Sequence, residues 1–228
     1  MRKLRALDLF CCAGGASMGL AKSGFEVVGV DIRPQPRYPF EFHQADALTF
    51  PLGGFDFIWA SPPCQGYTEL RHAPGTKGAP QLIDVIRERL WPHSHDTLWV
   101  IENVEDAKWA MRDPVLLCGS MFGLGAQGCR LQRHRLFEAN FHIPQPEHRH
   151  DDSPVIGVYG GHARKRSATA GGRGTKDVWA GGHKSAASEA MGMDWATLGE
   201  MSEAIPPAYS EHVGRSAWYH IQNKRAVA

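Results

Sequence analysis

The sequence predicts an α/β fold in which a mostly parallel sheet carries helices on both faces and a small glycine-rich basic lobe is attached. Short apolar runs alternate with helically spaced apolar residues over the first 104 residues. A later segment is rich in glycine, lysine and arginine and poor in apolar residues. The composition, 43% hydrophobic and 21% charged, is typical of a globular protein. No apolar run reaches the roughly 18 residues needed to cross a bilayer.

The first two strands and the helix between them follow one another closely. LRALDLF (4–10) and EVVGVDI (26–32) are apolar runs of strand length. Between them, ASMGLAKSGF (16–25) places Met18 and Leu20 on one helical face and has a glycine near its end. These 29 residues (4–32) therefore predict one strand–helix–strand unit.

Two further strands enclose a second helix. FDFIWAS (55–61) and LWVIENV (98–104) are apolar runs of strand length, and PQLIDVIRERLWP (80–92) has apolar residues at helical spacing. Repeated strand–helix–strand units pair their strands in parallel, and such sheets bind ligands beyond the carboxyl ends of the strands. The strand ends are therefore where functional residues are expected.

The first two strand ends carry residues suited to a ligand with a ribose. The small residues CCAGG (11–15) let the backbone turn tightly into a helix and approach a ligand closely. Asp31 ends the second strand, where a carboxylate accepts hydrogen bonds from ribose hydroxyls. The dinucleotide fingerprint G-x-G-x-x-G is absent, so the turn alone is a weak signal. Asp46, past the next strand, either holds an adenine amino group or caps a helix.

The stretch SPPCQ (61–65) places a thiol at a strand end. Its two prolines fix φ and prevent a helix or sheet from continuing. Cys64 is therefore predicted to face the cleft as a nucleophile, although a lone cysteine is more often buried and inert. Glu102 follows four apolar residues, so burial should raise its pKa and keep it protonated as a donor. The pair favours attack on a ring next to a nitrogen that can be polarised.

The cysteines and histidines predict neither a disulfide nor a metal site. Five cysteines, with no CxxC pair, argue against a disulfide framework or zinc ribbon and favour a reducing compartment. His93 and His95 form an H-x-H with no cysteine or carboxylate at ligand spacing, which favours a solvated loop. Cys118 and Cys129 are interpreted as ordinary buried thiols. The amino terminus shows no signal-peptide pattern.

Basic charge is concentrated in one segment. The net charge is only +1, yet seven lysines and arginines against three aspartates lie between His148 and Ser185, with eight glycines. Such a segment is either a solvated mobile loop or a lobe that follows a nucleic-acid backbone and orders on it. Its composition alone leaves both interpretations open.

Six motifs, taken in order, resemble those of the DNA cytosine-C5 methyltransferases. They are DLFCCAGG, VGVD, SPPCQ, ENV, RLQRHRLF and EAIPPAYSEHVG, within residues 6–221, and PPCQ followed by ENV is highly specific. The compact length is similar to that of phage-encoded members. The resemblance implies a Rossmann-like S-adenosylmethionine-dependent methyltransferase fold. Its catalytic domain would be formed by 1–137 and 186–228, and its target-recognition lobe by 138–185.

The resemblance also implies a role for each matching residue. Cys64 would attack C6 of a flipped-out cytosine and Glu102 would hold its N3 edge. Arg133 and Arg135 would bind the target's O2 and phosphate. S-adenosylmethionine would be bound by Asp8, Phe10, Cys11, Ala13, Gly14, Gly15, Asp31, Ile32, Asp46, Ala47, Pro63 and Ala204. The target base and the DNA would be contacted by Ser61, Pro62, Gln65, Asn103, Arg164, Lys165 and Arg166.

The implied partner is double-stranded DNA. No membrane and no metal ion are implied, and the chain is expected to be a monomer in the cytoplasm of a bacterial or phage-infected cell. The segment 66–80 resembles the lid that closes over the flipped base. Two alternatives stay open: a related C5 methyltransferase acting on RNA, and a catalytically silent member that binds DNA. An amino-group methyltransferase is disfavoured because it stacks the base on an aromatic residue where this chain has Cys64.

Four positions, in three motifs, depart from the family pattern. Cys12 stands where the family has glycine, Leu131 where a glutamine precedes the two arginines, and Ser202-Glu203 where glycine-asparagine is usual. Because Cys12 carries a Cβ, a difference is expected in the geometry of the turn or in cofactor binding. The target-recognition segment is also short, which predicts a short recognition site.

Overall fold

The architecture is that of two sheets with their covering helices, seen in a computed structural model that describes residues 2–68, 78–169, 172, 174–176 and 178–227. The strands of this part of the chain are β1 Arg5–Leu9, β2 Glu26–Asp31, β3 Glu41–Gln44, β4 Phe57–Ala60, β5 Leu98–Val104, β6 Val115–Leu117, β7 Gly125–Ala126, β8 Cys129–Leu131, β9 Arg135–Ala139, β10 Val155–Tyr159 and β11 His162–Arg166. The helices are α1 Gly15–Lys22, α2 Ile83–Leu90, α3 Gly182–Met191, α4 Leu198–Glu203 and α5 Pro207–Val227.

The larger sheet has the strand order β3-β2-β1-β4-β5-β9-β6. The five strands from β3 to β5 are parallel, and β9 runs antiparallel to both of its neighbours. The order reverses between β1 and β4, so the carboxyl ends of these strands flank a crevice. The predicted fold class, a mostly parallel sheet with helices on both faces, is confirmed.

The apolar runs of the central strands become buried because both faces of the sheet are covered. In β4, Phe57 and Trp59 point to one face, and Ile58 and Ala60 point to the other. Side chains alternate in this way along a strand, so a strand buried on both faces needs apolar residues at every position. This explains why FIWA is a continuous apolar run.

Helices α1 and α5 pack together on one face of the sheet, and α2 covers the other. The contacting stripe of α5 is spaced by four residues and consists of Tyr209, Val213, Ala217 and Ile221, all of them buried. Full burial of a valine or isoleucine side chain stabilises the fold by about 1.5–3 kcal/mol. None of the described helices is both long and apolar enough to span a membrane.

The smaller sheet has the strand order β11-β10-β8-β7 and is covered by α3 and α4. Its core is built mainly of alanine and methionine, including Ala163, Ala187, Met191 and Met201. Two of its strands, β7 and β8, come from residues before 138, and α3 extends beyond 185. The boundaries set by the sequence for the lobe therefore do not coincide with the ends of this sheet and its helix.

Candidate active site

A cavity of about 370 Å³ opens at the carboxyl ends of the parallel strands. Of the residues predicted from the sequence, it is lined by Asp8, Phe10, Cys11, Gly15, Asp31, Ile32, Ser61, Pro62, Pro63, Cys64, Gln65, Glu102, Asn103, Arg135 and Ala204. Sequence reasoning did not assign Cys12, Ala16, Arg33, Val104, Ser202, Glu203 and Ile205, which also line it. The residues come from every strand end around the crevice, as expected for a parallel sheet.

The turn after β1 has an unusual backbone. Phe10 and Cys12 have positive φ, 63° and 45°, a region that favours glycine over residues with a Cβ. The N–H of Cys12 donates to Asp31 Oδ2 at 3.0 Å, and the N–H of Arg33 donates to Asp31 Oδ1 at 2.9 Å. The Asp31 carboxylate therefore holds both turns, and carboxylate oxygens have lone pairs for further donors.

The two glycines at the start of α1 are required by close packing. A Cβ on Gly15 would overlap the carbonyl oxygen of Ile205, and one on Gly14 would lie 3.0 Å from the Tyr38 ring. Ala13 is buried, and its carbonyl accepts a hydrogen bond from Trp195 Nε1 at 2.8 Å. Ala13 and Gly14 do not line the cavity, so their effect on a ligand would be through the shape of the turn.

Asp8 is a buried carboxyl group at the wall of the cavity. Ser17 Oγ donates to Asp8 Oδ2 at 2.5 Å and lies 2.6 Å from the Tyr38 hydroxyl. Among the described residues, Asp8 Oδ1 has no hydrogen-bond partner. Burial raises the pKa of Asp8 to about 7, although the hydrogen bond from Ser17 opposes the shift.

The Pro-Pro step that presents Cys64 is held by Asn103. The Asn103 amide donates to the Pro62 carbonyl at 3.0 Å, and its Oδ1 accepts the N–H of Val104 at 3.0 Å. Asn103 was predicted to contact the substrate, but its side chain is buried and engaged by the backbone. Its observed contacts position the loop that carries Cys64.

Glu102 and Arg135 form an ion pair beside Cys64. Arg135 Nε lies 3.2 Å from Glu102 Oε1, because antiparallel pairing sets the first residue of β9 opposite Val104 at the end of β5. Burial raises the pKa of Glu102, and the charge of Arg135 and a hydrogen bond from Ser61 oppose this shift. Burial also raises the pKa of the Cys64 thiol, opposed by Arg135 and reinforced by the Glu102 carboxylate.

Arg133 differs from its prediction. Its guanidinium is buried and donates to three carbonyl oxygens, those of Val158 at 2.7 Å, Ser202 at 2.9 Å and Ala204 at 2.6 Å. It does not line the cavity. Burial and the neighbouring Arg135 lower its pKa to about 9. Arg133 therefore connects the smaller sheet to the segment before α5, with its charge directed at backbone oxygens.

Asp46 and Ala47 also lie apart from the cavity lining. Asp46 Oδ1 accepts the N–H of Leu48 at 2.8 Å within a turn, and no helix begins there, so the adenine contact stays a prediction. The Ala47 carbonyl accepts from Arg89 Nη1 at 2.9 Å. These hydrogen bonds stabilise the loop that follows β3.

The basic triplet Arg164, Lys165 and Arg166 lies on β11, an edge strand of the smaller sheet. These side chains are partly exposed, and the Arg164 guanidinium lies 5.7 Å from the centroid of the Tyr159 ring. They do not line the cavity, so any contact with a ligand would be made by a separate surface.

The two ends of the predicted lid are tied together. Gln81 Nε2 donates to the Gly66 carbonyl at 2.8 Å, and the N–H of Ile83 donates to the Tyr67 hydroxyl at 2.9 Å. The middle of the predicted lid, 69–77, lies outside the described residues. The lid assignment stays a prediction.

An ion pair that the sequence does not signal crosses the rim of the cavity. Arg33 Nη2 lies 3.1 Å from Glu203 Oε2, and both residues line the cavity. The partners are 170 positions apart. The one sequence signal for this pair is that Glu203 belongs to a motif that departs from the family pattern. Both side chains are exposed, with relative exposures of 63% and 54%, so solvent screens the pair strongly.

Two solved structures that share this fold are methyltransferases. One, from E. coli, is assigned as a DNA modification methyltransferase encoded within a prophage; it is 14% identical, with a TM-score of 0.58 over 96% of this chain and 99% of that one. Another is the Entamoeba histolytica methyltransferase EhMeth, 8% identical, with a TM-score of 0.61 over 97% of this chain and 99% of that one. No protein-family model and no curated protein matches the sequence. The two likenesses establish a shared fold along almost the whole chain.

Proposed function

We propose that this protein transfers a methyl group from S-adenosylmethionine to C5 of cytosine in double-stranded DNA, with Cys64 as the nucleophile. The observation that carries the proposal is that Cys64, Glu102 and Arg135 meet in one cavity at adjacent strand ends. Covalent attack at C6 requires a thiol, an acid for N3 and a cation near both, and these three side chains supply them. The same cavity extends to the Asp8 and Asp31 side, leaving room for a second ligand.

The residues on that side fit S-adenosylmethionine. Asp31 has lone pairs for ribose hydroxyls, and Ile32, 69% exposed at the cavity wall, offers an apolar surface for the adenine. The unpartnered Oδ1 of Asp8 favours a ligand that brings positive charge or a donor. When bound, S-adenosylmethionine supplies an electrophilic methyl group on a sulfonium.

The chain's own residues carry the rest of the reaction. C5 of cytosine is a poor nucleophile, and it is out of reach within a duplex, so the base must be flipped into the cavity. The Cys64 thiolate forms a bond to C6 while the C5–C6 π electrons move toward C5 and N3 takes a proton from Glu102. C5 then attacks the methyl carbon, the bond from that carbon to the sulfonium sulfur breaks, and S-adenosylhomocysteine leaves with the electron pair. A base removes the C5 proton, the bond between Cys64 and C6 breaks to restore the C5–C6 double bond, and N3 returns its proton to Glu102.

The ion pair explains how the thiol is activated only when a target is present. At rest, burial raises the pKa of Cys64, and the Glu102 carboxylate raises it further, so the thiol form is favoured. When Glu102 becomes protonated against the base, that repulsion is lost. Arg135 then has no carboxylate to neutralise it and stabilises the thiolate. Protonation of Glu102 and ionisation of Cys64 are therefore coupled.

The charged edge strand supports a nucleic acid as the substrate, and the six motifs that resemble those of DNA cytosine-C5 methyltransferases favour DNA. Arg164, Lys165 and Arg166 sit on β11 of a sheet that Arg133 connects to the cavity wall. Cationic side chains on a sheet edge suit the phosphates that flank a flipped base. Recognition would thus come from the smaller sheet and chemistry from the larger one.

The direct test is to trap the covalent adduct. The protein is incubated with labelled S-adenosylmethionine and a duplex in which cytosine is replaced by 5-fluorocytosine, because fluorine blocks the final elimination. We expect a denaturation-resistant protein–DNA adduct that is absent with Cys64→Ser. A matched single- or double-stranded RNA carrying 5-fluorocytosine distinguishes the polymer. Cofactor binding without any adduct on either polymer would contradict the proposal and favour a silent binding protein.

A further inference from the structure

A cluster of one cysteine and three histidines lies outside the cavity. It consists of Cys118, His134, His148 and His150, and one ligand atom from each lies within 4.8 Å of all the others. We propose that these four side chains bind a zinc ion in a closed, structural site. The proposal is independent of the proposed reaction, because none of the four lines the cavity.

The spacing of the ligand atoms is close to that of a tetrahedral site. His148 Nε2 lies 3.0 Å from His150 Nε2, and Cys118 Sγ lies 3.4 Å from His150 Nε2. Zinc bonds of about 2.0–2.1 Å to nitrogen and 2.3 Å to sulfur put two nitrogens roughly 3.3 Å apart and a nitrogen and sulfur roughly 3.6 Å apart. Shifts of a few tenths of an ångström bring these two contacts to the spacing of a zinc site, and the other pairs of ligand atoms lie within 4.8 Å.

His134 is already oriented as a ligand. Its Nδ1 lies 2.7 Å from the Glu105 carboxylate, while its Nε2 is buried and has no hydrogen-bond partner among the described residues. Histidines that bind metals usually donate the other ring N–H to a carboxylate in this way. The ring of His134 also stacks on that of His150, with centroids 5.4 Å apart and planes 8° from parallel.

The segment that carries His148 and His150 is fixed to the larger sheet. Gln145 Nε2 donates to the Leu116 carbonyl of β6 at 3.0 Å, and His212 of α5 lies 2.7 Å from the Pro144 carbonyl. The two histidines are therefore brought to the cluster by backbone contacts outside it. Because contacts outside the cluster hold this segment, the two histidines are kept near Cys118 and His134 without a bound ion.

The ligand set selects the metal. Thiolate and imidazole together suit zinc, and four protein ligands leave no position for a substrate, which is typical of structural sites. The ion would join the ends of three segments: Cys118 directly follows β6, His134 directly precedes β9, and the two remaining histidines stand in the connection to β10. By binding His134, the zinc ion would fix the residue that directly precedes Arg135.

The sequence predicts no metal site because its cysteines and histidines do not stand together at short ligand spacing. The pair His148 and His150 forms an H-x-H like that of His93 and His95, and neither pair has a cysteine nearby in the sequence. Cys118 lies 16 positions before His134 and 30 before His148. Only the pairing of β6 with β9 brings the cysteine and His134 together.

The test is metal content and cobalt spectroscopy on the full chain. Protein purified without chelator should contain about one zinc per chain by elemental analysis. After removal of zinc, Co²⁺ should give tetrahedral d–d bands and a thiolate charge-transfer band. The bound zinc and the cobalt bands should both be lost in Cys118→Ala and in the double variant His148→Ala/His150→Ala. The last two side chains are exposed, so this variant should still fold.

Two controls match these variants. Cys129→Ala removes another buried thiol, and His93→Ala/His95→Ala removes another H-x-H pair; both should keep the metal and the spectrum. Glu105→Gln should keep the site but weaken zinc binding by about 10–100-fold, as expected for a partner of a ligand. A chelator should lower the Tm of the wild type and leave that of the double variant unchanged.

Two results would overturn the proposal. One is wild-type protein that neither contains zinc nor binds Zn²⁺ or Co²⁺ at micromolar concentration. The other is a cobalt spectrum that survives in Cys118→Ala or in the double histidine variant. Neither result depends on methyl transfer, so failure of the metal site and failure of the proposed reaction are separate outcomes.

Discussion

The two sheets of this molecule bury different kinds of side chain. At its carboxyl edge, the larger sheet buries the acids Asp8, Asp31 and Glu102, each against a hydrogen-bond donor or a cation. The core of the smaller sheet consists largely of alanine and methionine, and three of the four lysines and arginines on its strands stand on the edge strand β11. Burial shifts pKa values and strengthens electrostatic interactions, whereas exposed charge is available for long-range attraction. Under the proposed function, the larger sheet would carry the chemistry and the smaller sheet the contact with DNA.

Where the two sheets meet, two arginines within three residues of each other make different kinds of contact. Arg133 and Arg135 are separated only by His134, yet Arg133 donates to three carbonyls while Arg135 faces Glu102. One arginine therefore joins the sheets and the other belongs to the reaction site. Substitutions on each side of this division test it, beginning with the largest effect.

The largest effect is expected for the nucleophile. Cys64→Ser should reduce methyl transfer by about 10³-fold or more, because a hydroxyl is a far weaker nucleophile than a thiolate. Transfer is measured with labelled S-adenosylmethionine, and cofactor binding by calorimetry should stay within a few-fold. Cys129→Ala is the matched control and should retain activity. Near-wild-type turnover of the serine variant would contradict the mechanism.

The second prediction compares the two arginines. Arg133→Met removes the donor to three carbonyls, two of them in buried contacts, and should lower the free energy of unfolding by about 3–5 kcal/mol. Arg135→Met should lower kcat by about 100-fold with a smaller loss of stability, since Glu102 can take a proton in place of its partner. Urea denaturation and single-turnover kinetics separate the effects. Equal losses of stability in both variants would contradict the division of roles.

The third prediction concerns the edge strand of the smaller sheet. Replacing Arg164, Lys165 and Arg166 by glutamine should reduce the slope of log affinity for DNA against log salt by up to about 2.7, because each phosphate that a cation no longer neutralises removes about 0.9 from it. The control replaces three basic residues distant from the cavity and from β11, Lys3, Lys22 and Lys224. An unchanged slope in the first variant would show that β11 does not contact phosphate.

The smallest effect is a dependence of stability on pH. The pKa of Asp8 rises on folding from its ordinary 3.8 to about 7, so the folded state holds a proton that the unfolded state releases. This contribution to stability is complete below about pH 4 and is lost as the pH rises to about 7. Asp8→Asn should therefore gain in Tm relative to the wild type between pH 4.5 and pH 7.5. A constant difference across that range would show that Asp8 does not titrate there.

Much of the fold could be read from the sequence because the signals are local. The apolar runs 4–10, 26–32, 55–61 and 98–104 each contain a strand of the larger sheet, and 80–92 contains α2. Period and length identify such elements without knowledge of their neighbours. Parallel sheets bind ligands beyond the carboxyl ends of their strands, which predicted that Cys64 and Glu102 share one cleft. Both residues line one cavity in the structure.

The order of strands and helices in the first half, the polar residues at the strand ends and the thiol behind its two prolines were predictable from the amino-acid sequence. They follow from backbone preferences and periodicity, which act over a few residues. Three contacts were visible only in the folded chain: Arg133 donates to three carbonyls, Asn103 donates to Pro62, and Cys118 lies beside three histidines. Those contacts join residues from 16 to 71 positions apart that no local pattern brings together. They depend on how the two sheets meet, which is set by packing across the whole chain.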